Sequence, residues 1–171
     1  RLEGIFLRMD KNRDGFWDKD EFIGNLTIGR GKPLLVAVKP GGKGNVTDSH
    51  VEWEFNKGIP EVPSPILHES RIYMVSNGGV LTCVESGNGE MLYRTRLGGL
   101  GQYVASPVVA GNKLILASEE GLISVIRTGD EFKALGQFKL DESIQVTPAL
   151  GKGSLYVRGK KNLWAFGSAK R

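Results

Sequence analysis

Downstream of Ser64, apolar and polar residues alternate in short runs broken by Gly, Asn or charged pairs. A period of two sends successive side chains to opposite faces of a strand, so these runs predict β-strands. Arg71–Ser76 is one. Val80–Val84 follows it across Asn77-Gly78-Gly79, a hairpin signal. Leu114–Ser118 and Leu122–Ile126 repeat the arrangement around Glu119-Glu120-Gly121, and Leu155–Val157 with Leu163–Phe166 repeats it again. A fourth strand closes two of the units, at Met91–Leu97 and Phe132–Leu140. Upstream, Leu34–Val38 and Val51–Phe55 predict the last two strands of an earlier unit, with Lys39–Asp48 as the loop between them.

The units align on Pro65, Pro107 and Pro148, at spacings of 42 and 41 residues. Eight residues after each proline stand Tyr73, Ile115 and Tyr156, and fourteen after stand Gly79, Gly121 and Asn162. Sixteen after come Leu81, Ile123 and Trp164, and eighteen after come Cys83, Val125 and Phe166. The alignment predicts that these apolar offsets are core. Four short antiparallel strands per period of about 40–50 residues mark a β-propeller blade. One blade cannot cover both its faces, so blades stack. Trp53, twelve residues before Pro65, and Tyr93, fourteen before Pro107, are expected to dock between blades. The fold class read here is mainly β, a partial β-propeller with a short N-terminal helix–loop–helix. Three units plus part of one, in a chain starting at Arg1, read as a piece of a longer protein.

Near the N-terminus the period changes. Phe6 and Met9 suit the inner face of an entering helix, and Phe22 and Leu26 that of an exiting one. Between them lies DKNRDGFWDKDE, Asp10 to Glu21, which meets the EF-hand pattern D-x-[DN]-x-[DN]-G-x5-E in full. Ca2+ is a hard cation that takes six to eight oxygens. Asp10, Asn12 and Asp14 supply side-chain oxygens on alternate residues, and Phe16 offers its carbonyl. Asp18 acts directly or through water, and Glu21 closes the site with both oxygens. Gly15 allows the sharp turn. Trp17 occupies the position where paired hands usually carry an aliphatic residue, and no second such loop occurs in the chain.

Composition narrows the function classes. The chain has 171 residues, 40% hydrophobic and 25% charged, an ordinary balance for a globular protein. Its 24 glycines fit a turn-rich fold. The formal charge of +4 divides into −1 for residues 1–26 and +5 for the rest, where basic residues are scattered among strands. That scatter argues against a nucleic-acid partner. No apolar run approaches a membrane span. Cys83 is the single cysteine, within an apolar strand, and reads as a buried thiol. His50 and His68, the two histidines, make no recognisable triad or metal spacing. Gly29-Arg30-Gly31-Lys32 ends in Pro33 and is no P-loop; Gly98-Gly99-Leu100-Gly101 opens no helix and suits a blade linker.

The stretch ESGNGEMLY, Glu85–Tyr93, resembles the D-x-x-T-G-x-x-x-W motif of PQQ-like, or quinoprotein-like, propeller repeats. Glu85 takes the Asp place, Asn88 the Thr, Gly89 the Gly and Tyr93 the Trp. The matching RTGDEFKAL of the next unit has largely lost it. The order of EF-hand loop, LLVAVKPGGKGNVT, VEWEF and repeats is similar to the C-terminal part of large planctomycete-type bacterial proteins joining EF-hands to such propellers. The resemblance implies residues 1–28 as an EF-hand, 29–58 as linker and part of a first blade, and 59–171 as PQQ-like repeats, the last incomplete. It implies an exported bacterial protein in one of two settings. The first is a non-catalytic scaffold, like the lipoprotein of the outer-membrane barrel assembly machinery, which binds protein partners. The second is a PQQ-dependent quinoprotein oxidoreductase, whose cofactor sits with Ca2+; none of that site's residues is matched here. The favoured expectation is a calcium-binding protein carrying a propeller scaffold for protein or ligand binding. No catalytic residue is assigned.

Overall fold

The computed structural model describes residues 10, 12–16, 18, 19, 32–99 and 101–167. The chain divides into two compact units, Arg1–Lys32 and Pro33–Arg171. The two helices expected around the calcium loop lie outside the described residues, as do Trp17 and Glu21.

The larger unit is built from four antiparallel sheets. The first pairs β1 (Leu35–Val38) with β2 (Val51–Phe55). The expected loop between them carries one short helix, α1 (Thr47–His50). The second sheet holds β3 (Ile66–His68), β4 (Arg71–Ser76), β5 (Val80–Glu85) and β6 (Met91–Arg96) in sequence order. The third holds β7 (Val108–Ala110), β8 (Lys113–Ala117), β9 (Leu122–Arg127) and β10 (Lys133–Lys139), again as a meander. The fourth has β11 (Ala149–Gly151), β12 (Ser154–Arg158) and β13 (Leu163–Gly167). The first hairpin of each repeat keeps one register: Ile66 faces Tyr73, Val108 faces Ile115 and Ala149 faces Tyr156.

Alternation along the middle strands divides the core into three layers. On β4, Tyr73 and Val75 point toward the third sheet and join Leu81, Cys83, Leu114, Leu116 and Ile126. Met74, between them, points the other way and joins Phe55 and Val84, with Trp53 and Ile72 packed alongside. On β8, Leu114 and Leu116 face the second sheet, whereas Ile115 and Ala117 join Ile123, Ile144 and Val157 toward the fourth. The middle strands of the second and third sheets are therefore buried on both faces, mostly by apolar side chains, with Thr82 and Ser124 as buried polar residues among them. Each fully buried aliphatic side chain there contributes roughly 1.5–3 kcal/mol.

The third repeat departs from the alignment of its second hairpin. Ser76 pairs with Val80, and Ser118 donates its amide to Leu122, so three residues form each of the first two turns. In the fourth sheet Gly159 donates to Asn162, leaving only Lys160 and Lys161 between. One residue is missing, and a one-residue slip moves a strand's side chains to the opposite face. Val75 and Ala117 face Leu81 and Ile123, but Val157 faces Trp164 and Leu155 faces Phe166. Trp164 and Phe166 thus lie on the face turned back toward the third sheet. Leu163 takes the place of Leu81 and Ile123 and is 68% exposed. Phe166 reaches Phe138 of β10, with ring centroids 5.1 Å apart, and Trp164 stacks over Phe166.

Glycine answers a local need at the turns. Gly79 and Gly121 have φ of +66° and +86°. A Cβ on Gly79 would meet the Gly99 carbonyl, and one on Gly121 the carbonyls of Leu140 and Glu142. Asn162, aligned with them by sequence, is not in the left-handed region, because the shorter turn does not need it there.

Candidate metal centre and the contacts between sheets

Within Asp10–Phe16 the side chains fold back on their own backbone. Asp10 Oδ2 accepts the Gly15 amide at 3.0 Å. Asn12 Oδ1 accepts Asp14 N–H at 3.0 Å, and Asp14 Oδ1 accepts Phe16 N–H at 2.8 Å. Asn12 Nδ2 donates to Asp14 Oδ2 at 3.1 Å, which sets those two side-chain ends together. Gly15 adopts φ +84° and Arg13 +58°, so the chain winds tightly here. Two short Asx turns of this kind are what Asn and Asp side chains form readily.

Among the described residues of this loop, one buried side-chain oxygen has no hydrogen-bond partner. Asp10 is 4% exposed, and its Oδ1 is buried without a hydrogen bond. A buried carboxylate oxygen left unpaired is costly, and cation coordination is one way to compensate it. The donor set of Asp10, Asn12 and Asp14 is all oxygen, as Ca2+ prefers. On these grounds the described residues fit the ion. Phe16 is 75% exposed. Asp18 is exposed. The carboxylates alone do not make a site: among the described residues no three of His, Cys, Asp and Glu are grouped to hold a metal. Coordination would draw on the Asn12 amide, the Phe16 carbonyl and Glu21, which lies outside the described residues.

The stretch Glu85–Tyr93 makes contacts between sheets. Glu85 Oε2 accepts the amides of Gly87 and Asn88 at 2.6 and 3.0 Å, and Asn88 Oδ1 accepts Glu90 N–H at 2.8 Å. This shapes a turn that ends in Gly89 at φ +72°. Trp53 of β2 lies directly against Gly89, where a Cβ would strike its ring. Its Nε1–H donates to the Ser86 carbonyl at 3.0 Å. Trp53 therefore docks as the sequence led us to expect. Tyr93 packs edge-on to Phe132 at 6.1 Å. In the next layer the phenol oxygen of Tyr73 accepts the Gly129 amide at 2.9 Å. Arg71 beside it pairs with Asp130 at 2.6 Å, and this contact holds the Asp130 carboxyl below its usual range.

Two further sets of contacts were not read from the sequence. Ser64 N–H donates to Ser106 Oγ at 2.9 Å, and Ser106 N–H to Thr147 Oγ1 at 3.0 Å. Each hydroxyl stands just before an anchoring proline, so the ladder joins successive first strands. The signal was present as a Ser or Thr before each proline. The other set centres on Glu142, in the linker before β11. Its carboxylate accepts the Lys161 amide at 2.7 Å and the Asn162 amide at 3.2 Å. It also accepts Asn162 Nδ2 at 3.0 Å and Trp164 Nε1 at 2.5 Å. This clamp holds the shortened turn, whose lysines are not left-handed and so lack the twist-matched geometry of a two-residue hairpin. No repeat partner exists for Glu142, so periodicity could not reveal it.

Those bonds, that of the Lys161 amide foremost, hold the Glu142 carboxyl down at about 2. An unfolded glutamate titrates near 4.3. The clamp's stabilisation is therefore fully present above about pH 4.3 and fades as pH falls toward 2. In Glu142→Gln this part of the acid sensitivity should vanish. Urea melts at pH 6 and pH 3 measure it, and equal pH dependence in both proteins would refute the clamp.

Cys83 is buried, and burial pushes its thiol up to about 11, which suits a core residue and not a nucleophile. His50 contacts Ser49 Oγ through Nδ1 at 2.7 Å, and His68 ends β3 beside Glu69. Among the described residues no three of His, Cys, Asp and Glu are grouped to hold a metal beside PQQ. No chemical step is derived through that cofactor. No helix among the described residues is long and apolar enough to cross a membrane.

Solved structures similar to this chain are propellers. BamB from Moraxella catarrhalis matches over 79% of this chain and 40% of its own, at 15% identity and a TM-score of 0.61. The β-propeller domain of Cps50 (Swd1) from Myceliophteria thermophila matches over 61% and 39%, at 10% identity and 0.52. Quinohemoprotein alcohol dehydrogenase ADHIIG from Pseudomonas putida HK5 matches over 62% and 19%, at 12% identity and 0.50. No family model and no curated protein matches the sequence. The chain thus spans about two fifths of BamB, and at these identities the likeness establishes the fold: sheets stacked as blades of a β-propeller.

Proposed function

We propose that this chain belongs to a calcium-binding protein whose propeller serves as a scaffold for protein or ligand binding. The observation that carries the calcium half is the buried, unpartnered Oδ1 of Asp10, inside a loop wound by the side chains of Asn12 and Asp14. Asp10, Asn12, Asp14, Phe16, Asp18 and Glu21 are the ligand positions. The loop's acidic residues repel one another until a cation neutralises them, so calcium acts here by ordering its own binding site. The scaffold half rests on the fold, which is shared with BamB.

Calorimetric titration of the chain with Ca2+ tests this. Asp10→Asn and Glu21→Gln each remove one carboxylate charge, and each should weaken binding by about tenfold or more, the equivalent of one lost charge-assisted contact. Unchanged affinity in both variants would remove the site. Resemblance to exported propeller proteins supports placement outside the bacterial cytoplasm. Fractionation of cells making the full-length parent checks that, and recovery in the cytoplasm alone would overturn it.

A further inference from the structure

At the shortened turn of the third repeat, the linker before β11 and the end of β12 border an open cavity of about 600 Å3. Ser143, Gln145, Arg158 and Lys160 line it, with Glu119 from the preceding repeat. Its geometry is held from several sides. Lys160 N–H donates to the Ser143 carbonyl at 3.0 Å, and Ile144 N–H to the Glu119 carbonyl at 3.2 Å. Ile144, which anchors the linker, is fully buried.

Among the charged residues lining this cavity, two cations, Arg158 and Lys160, face one carboxylate, Glu119. Arg158 gives one Nη1–H to the Gly159 carbonyl at 2.8 Å, and a guanidinium has five such donors. Neither Arg158 nor Lys160 makes an ion pair with the described residues. Glu119, the carboxylate in the lining, is engaged by Gln145 Nε2 at 2.5 Å. Glu142, the other acid of this loop cluster, has both oxygens committed to the turn through four donors. Two cations thus line one cavity, and neither nearby carboxylate is paired with them.

We propose that this cavity binds a ligand through an oxyanion, a carboxylate or a phosphate group, with Arg158 as the forked donor and Lys160 as the second charge. Planar guanidinium matches either group with two parallel bonds, and the ammonium adds an unoriented charge. The site lies wholly within the propeller and gives a ligand class to the scaffold half of the proposed function, on which it rests. It is independent of calcium, so the two titrations can fail separately.

The test is an NMR titration of the full chain in low-chloride buffer, once with inorganic phosphate and once with succinate. The amides of Ser143, Gln145 and Lys160 and the Arg158 Nε–H are followed. Saturable shifts confined to these groups are expected. Arg158→Gln should weaken binding by about tenfold or more, since a hydrogen bond to a charged group is worth roughly 1.5–3 kcal/mol. Lys160→Gln should weaken it less, and Lys152→Gln, in the β11–β12 turn, should leave it unchanged. A response to phosphate alone identifies a phosphate-bearing ligand, and one to succinate alone a carboxylate-bearing one. Both Arg158 and Lys160 are exposed, so neither substitution threatens folding. No saturable shift with either anion, or equal affinity in Arg158→Gln and wild type, overturns the proposal.

Discussion

Replacing Gly121 by alanine should destabilise the protein by about 2–4 kcal/mol, well beyond the cost of backbone conformation alone. The residue has φ +86°, and a left-handed alanine costs roughly 1–2 kcal/mol. The new Cβ would also press on the carbonyls of Leu140 and Glu142. Moving that linker loosens the bond from Leu140 N–H to Gly121 O, 3.0 Å, and that from Ile144 N–H to Glu119 O, 3.2 Å. Gly153→Ala is the comparison. Gly153 has φ +77° in the β11–β12 turn, and its Cβ would enter open space. Only the conformational cost should appear there. Urea unfolding of both variants reads the difference, and equal losses would show that the linker yields without cost.

Leu116→Ala should cost about 2–5 kcal/mol, the range for a leucine removed from a sealed core. Leu116 is fully buried between the second and third sheets, beside Tyr73, Leu81 and Ile126. The layer joins two sheets that are otherwise stitched by a few polar contacts, and neither can collapse onto the other without shifting a strand pair. Leu163→Ala provides the contrast. Leu163 is 68% exposed, so its loss should fall within about 0.5 kcal/mol. The pair also tests the register of the third repeat. If the register were unslipped, Leu163 would face the third sheet in place of Trp164, and the two variants would be similarly damaged.

The strands were legible because alternation and repeat period agree. Arg71–Ser76 and Lys113–Ala117 each change face at every residue, and the proline spacing fixes where each unit begins. The register of β13 was not legible. Leu163, Trp164, Ala165 and Phe166 are all apolar, so alternation carries no phase there, and a missing turn residue passes unseen. The bonds that wind Asp10–Phe16 span two to five residues, a range that a local pattern can encode. The contact of Glu142 with the turn spans nineteen to twenty-two, and no local pattern encodes it. Trp53 was placed correctly from its distance to Pro65, yet its partner, Gly89, appears only in three dimensions. Arg158 and Lys160 were overlooked because a lone basic residue at a turn ordinarily means solvent.

The hydroxyl ladder of Ser64, Ser106 and Thr147 has a consequence for how such a chain can grow. Each unit carries both halves of the joint at one position: an amide that reaches forward and an oxygen that receives from behind. A tandem duplication would therefore copy a working connector together with the module. Neither neighbour would need a compensating change, and units could be added or lost while the remaining joints stayed intact.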